Sequence, residues 1–185
     1  MKIYRYGLTY DEDMRQIELS VYGIFKIDDK KYSPGFLVGV LNDILHMRRR
    51  IMDFDAVVSL NAKHIPSGIY CSQSGASVYG LFDLRLLALY SLLSFRDMFV
   101  YVRYYAASGR IVPSEKDDEM CRDLERVYAS LSAKLVDFLL VNKTGCYSYM
   151  RSGRLGFLSG SKRMAGASAC LGEDADHKNE NSEAA

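Results

Sequence analysis

The chain has 185 residues, 49% of them hydrophobic and 25% charged, with a formal net charge of +1. This length and apolar content suit a single domain with one core and a tail. The near balance of charge excludes a molecule-wide field for nucleic acid or an anionic membrane, so any such partner has to meet a local patch. Cys71, Cys121, Cys146 and Cys170 form no CxxC and no Cys/His pair at ligand spacing, so no metal site and no cofactor is expected. The opening MKIYRYGLTYDED alternates tyrosines with polar groups and has no basic stretch leading into an apolar run. It does not read as a signal peptide, and a reducing cytoplasm with free thiols is expected.

Lys2 to Thr9 and Gln16 to Ile27 each alternate in period two, with Asp11, Glu12 and Asp13 between them. They read as two strands joined by an acidic turn. Lys30 to Tyr32 reads as a short third strand after a turn at Asp28 and Asp29. Ser33 followed by Pro34 is a helix start, because serine caps free amides and proline suits the first helical position. Leu37, Val40, Leu41, Ile44, Leu45, Ile51 and Met52 then recur at helical intervals and predict a helix over 36–53. Arg48, Arg49 and Arg50 fall in its last turns, where cations complement the dipole.

Ala56 to Leu60, a short β-branched run, reads as a strand, and Ile69 to Cys71 as a brief one inside the punctuated segment 61–75. Residues 76–95 have almost no polar face and predict a buried helix, opened by Ser74 or Ser77. Asp83, Arg85, Arg96 and Asp97 limit its uncharged part to ten residues, short of the roughly 20 that cross a bilayer, so no membrane partner is expected. Met98 to Tyr105 is aromatic and β-branched, with Arg103 as its only charge, and reads as a strand. Ser114 and Asp117 resemble a capping box. Met120, Leu124, Val127, Leu131, Leu135 and Phe138, spaced 4, 3, 4, 4 and 3, extend the helix that it opens over 115–142, ending at Gly145. Cys146 to Arg151 and Leu155 to Leu158 read as a closing hairpin.

The expected fold is therefore α+β: three helices on an antiparallel or mixed sheet of about six strands. Residues 1–160 form the domain, and 161–185, rich in Gly, Ser, Ala and charge, form a disordered acidic tail.

The segment 61–77 concentrates the reactive side chains. Cys71 as nucleophile with His64 as base is the enzymatic candidate, a hydrolase or transferase, and needs thiol and imidazole within hydrogen-bond reach. A small hydrophobe on a strand and a surface histidine are the plainer readings of the two. Arg48, Arg49, Arg50, Lys63, Ser74 and Ser77 are the candidates for an anion, nucleotide or nucleic acid, with Arg103, Arg110, Arg151 and Arg154 as further cations. Three consecutive arginines spread round a helix, however, and a capped helix end is the favoured reading of them on dipole grounds. Asp53 and Asp55 flank Phe54 and lack further ligands for a divalent cation. Tyr4, Tyr6, Tyr10, Tyr22, Tyr101, Tyr104 and Tyr105 form a candidate aromatic interface, and edge strands offer a second route to dimerisation. The function expected is that of a small non-enzymatic interaction or regulatory protein, binding a protein partner or itself as a homo-oligomer. Nucleic-acid or nucleotide binding is the alternative, and a Cys71/His64 enzyme comes third.

Overall fold

The computed structural model describes residues 1–11, 14–71, 84–107 and 109–156. The chain runs β1 (Lys2–Asp11), β2 (Gln16–Lys26), α1 (Pro34–Leu45), a 3-10 turn (Met47–Arg49), β3 (Phe54–Leu60), β4 (Pro66–Cys71), α2 (Leu84–Leu93), β5 (Met98–Tyr104), α3 (Glu115–Ser130), β6 (Lys134–Val141) and β7 (Cys146–Ser148). Among the described residues these make the expected α+β fold, with three α-helices on one seven-stranded sheet of order β2-β1-β4-β3-β5-β6-β7. The sheet is mixed: β1 runs parallel to β4 and β5 to β6, and the other neighbours are antiparallel. No described helix is long and apolar enough to cross a membrane. The expected tail at 161–185 and the start of the helix expected from 76 lie outside the described residues.

Period two divides the inner strands between two cores. Ala56, Val58, Leu60, Ile69, Val100, Val102, Leu139 and Val141 meet the inner face of α1. Val57, Tyr70, Phe99, Tyr101, Phe138 and Leu140 meet α2 and α3 on the other side. Adjacent residues of β3 and β5 are therefore both buried, which is why these strands read as continuous apolar runs. Each helix lies over the sheet because a strand apolar on both faces needs a cover on both.

The local start signals act as read. The Ser33 hydroxyl accepts from Phe36 N at 3.3 Å with Pro34 in the first turn. Ser114 Oγ accepts from Asp117 N at 3.3 Å while Asp117 Oδ2 accepts from Ser114 N at 2.9 Å, a closed capping box.

Helix ends differ from the periodic reading. α1 stops at Leu45 because His46 adopts φ 53°, and Arg50 Nε then donates to the Leu45 carbonyl at 3.2 Å. Residues 50–53 are not helical. α3 stops at Ser130, with Ser132 at φ 55° and Ala133 N bonded to Tyr128 O at 2.8 Å. Residues 134–141, expected to be helical, are β6 instead, and Gly145 lies between β6 and β7. A helix would leave one side of Leu135–Val141 exposed, whereas a strand between β5 and β7 fills both cores with it. Among the described residues, 30–32 pair with no strand, β7 is followed by the turn Tyr149–Gly153, and residues 157 and 158 of the expected closing hairpin lie outside the described residues. Cys71 and Cys121 are free thiols, but Cys146 is disulfide-bonded, which corrects the expectation of free thiols throughout.

Candidate interaction surface

The first hairpin is positioned unlike the rest of the sheet. β1 pairs with β4 only over Tyr4–Tyr6, but with β2 along its whole length. Among the described residues β1 beyond Gly7 pairs with β2 alone, and β2 is the outer strand of the sheet. Tyr4 faces Ile24, Tyr6 faces Val21 and Leu8 faces Leu19, so one face of the hairpin is apolar at successive pairs. The register shifts between Arg5 and Tyr6, where Tyr22 is the extra, unpaired residue of a bulge in β2. Ile17, Val21 and Ile24 are 44%, 51% and 56% exposed, and Tyr22 is 63% exposed. β2 carries Glu18 and Lys26 but no proline over its 11 residues. A long edge strand with exposed branched side chains and few charges is a template for pairing with another chain.

The candidate tyrosines separate. Tyr4 and Tyr6 are half-buried and stack at 6.1 Å, and Tyr6 also lies 6.1 Å from Tyr90 of α2. Tyr22 is exposed. Tyr101 and Tyr104 are fully buried, one in each core, so the reading that placed them on the surface is corrected: β5 lies between β3 and β6 with helices over both faces.

Cys71 and His64 do not meet. His64 sits in the turn that leads into β4 and Cys71 ends that strand, so six extended residues, roughly 20 Å, separate them. Burial pushes the Cys71 thiol up to about 11 against the lowering charges of Arg5 and Arg50. Iodoacetamide at pH 7.5 is therefore expected to label Cys71 more slowly than an exposed peptide thiol, because little thiolate forms. Faster labelling, read by mass spectrometry, would restore the nucleophile.

The cations are dispersed too. Arg48, Arg49 and Arg50 are exposed just before β3, and Arg50 lies 5.8 Å over the Phe54 ring. Lys63 lies past the far end of the same strand, again roughly 20 Å away. Ser74 and Ser77 lie outside the described residues. Arg154 pairs with Asp118 at 2.9 Å. Arg103 is internal: its Nε and Nη2 donate to Asp55 at 3.0 and 3.2 Å, and its Nη1 lies 3.4 Å from Asp117 Oδ1. Asp117 also accepts from Tyr105 at 2.6 Å and from Ser114 Oγ at 2.7 Å, which makes a buried tie between β3, β5 and the amino end of α3. Burial raises the Asp117 carboxyl, but these donors and the Arg103 charge bring it below its ordinary value. Asp53 accepts the Ala106 amide at 2.7 Å, so neither aspartate beside Phe54 is left for a cation. Among the described residues no group of three or more His, Cys, Asp or Glu is placed to hold a metal.

Sequence reasoning missed the Asp55–Arg103–Asp117 tie, although a single charge inside MFVYVRYY was its signal. No protein-family model matches this chain, and no curated protein matches it.

Proposed function

We propose that this chain acts by binding another polypeptide, a protein partner or a second copy of itself, along β2, and has no catalysis of its own. One observation carries the reading: an 11-residue outer strand that keeps Ile17, Val21, Tyr22 and Ile24 in solvent. Exposed apolar groups on an unpaired edge cost free energy in water, and an added strand removes that cost while satisfying the free backbone groups. Native mass spectrometry of protein purified without refolding is expected to give masses above one 20.9 kDa chain. In the double variant Val21→Lys, Ile24→Lys the added mass is lost while the circular dichroism spectrum is unchanged, since both side chains already face solvent. A bare single chain in the wild type, or assembly that survives both lysines, overturns the proposal.

The second reading, nucleic-acid binding, rests on the exposed Arg48 and Arg49, which pair with no acidic side chain among the described residues. It requires affinity for an oligonucleotide that falls steeply with salt and falls again in Arg48→Ala, Arg49→Ala. An affinity indifferent to both removes it.

A further inference from the structure

Among the described residues β7 pairs with Leu139, Leu140 and Val141, and the earlier part of β6 has no strand on its outer side. A cleft of about 780 Å³ opens there. Its volume lies within the roughly 300–1,000 Å³ of small-molecule sites. Ala129 of α3, Leu135 and Val136 of β6, and Met150 and Leu155 form apolar walls. Lys31, Lys134 and His64 are the basic residues of its lining. All three are exposed, and none forms an ion pair among the described residues. Two acidic groups are nearby, and both are engaged. Glu125 Oε1 accepts from Gly156 N at 2.8 Å. Asp137, fully buried behind the cleft, accepts from Tyr32 Oη at 2.6 Å, Ser148 Oγ at 2.5 Å and Met150 N at 2.9 Å. Asp137 thus ties down two of the cleft's walls, Tyr32 and Met150, so the space is shaped before anything enters it.

We propose that this cleft binds a small amphipathic carboxylate, with its head between Lys31, Lys134 and His64 and its hydrocarbon body along Leu135, Val136, Met150 and Leu155. An inorganic anion would leave the apolar walls wet, and a neutral hydrocarbon would leave the ammonium groups without a counter-charge. A carboxylate with an apolar body satisfies both. The site shares no residue with β2, so it stands or falls apart from the interaction surface.

Decanoate titrated into the full chain and followed by amide shifts in ¹H–¹⁵N spectra tests it. Saturating shifts are expected at Ala129, Lys134–Val136 and Met150–Gly156. Decanol, with the same body and no charge, binds about tenfold or more weaker, as does decanoate with the double variant Lys31→Glu, Lys134→Glu. Both lysines are exposed, so unchanged amide dispersion in that variant shows that the fold is kept. Shifts confined to β2, no saturable shifts, or equal affinity for decanol or in the variant would each overturn the proposal.

Discussion

Arg103→Ala is expected to lower the free energy of unfolding by about 3–5 kcal/mol in urea titration at neutral pH. The side chains of Arg103, Asp55 and Asp117 are only 12%, 5% and 3% exposed, so water cannot replace what is removed. Without the guanidinium, two carboxylates share a buried space with no cation between them, an arrangement far costlier than the intact network is stabilising. Against a total stability of about 5–15 kcal/mol for a domain, such a loss brings the variant near unfolding. The acid limb should move as well. Asp117 is held below its ordinary value, so it contributes stability above the usual carboxylate range and loses it as the pH falls through the lowered value. Removing Arg103 takes away one cause of that lowering, and acid unfolding then begins at a higher pH. Asp55→Asn in the Arg103→Ala background should recover part of the loss by relieving one buried charge. A single-variant loss under about 1 kcal/mol, in the range of a surface pair, would mean that the network is solvated.

Tyr90→Ala is expected to cost about 3–5 kcal/mol, read by the same titration. Tyr90 is fully buried and is the means by which α2 reaches the sheet: it stacks on Tyr70 at 5.1 Å and meets Phe99 edge-on at 6.3 Å. Its hydroxyl donates to Ser59 Oγ at 3.3 Å over Gly68, where a Cβ would stand 2.9 Å from that hydroxyl and 2.8 Å from the Tyr6 ring. The glycine is thus the gap that lets Tyr90 lie flat on β4. Truncation empties a site walled by three other aromatic rings, which cannot collapse far without separating from one another. Tyr90→Phe keeps the rings and loses only the hydrogen bond, about 0.5–1.5 kcal/mol. Equal losses in the two variants would assign the stability to the hydroxyl and not to the packing.

Parts of these sites were legible in the residues. A lone arginine in an apolar strand has to find a carboxylate, a signal that the reading of Arg103 as one more cation for an anion passed over. Which carboxylates it finds was hidden, because Asp55 comes from β3 and Asp117 from the cap of α3, residues that also make sense as a junction and a helix start. The tyrosines show the same limit. Tyr22 and Tyr101 look alike in sequence, each in an aromatic and β-branched run, yet one is in solvent and the other is in a core. What separates them is strand order, since β2 lies at the rim and β5 inside. The Cys71/His64 pair failed for a related reason: seven positions along the chain is a short distance in a loop, but it spans the length of β4 here.

By itself the sequence determined the first hairpin, the strands β3 and β5, the Ser33–Pro34 start of α1 and the Ser114–Asp117 box of α3. Each depends on residues within a few positions of one another, through side-chain alternation or a cap that reaches three amides along. Only the tertiary structure decided that Leu135–Val141 is a strand, that α1 stops at Leu45 before the arginines, and that β2 is left at an open edge among the described strands. An apolar run records that a segment is buried but not against what, and its partner is chosen by chain brought from far away.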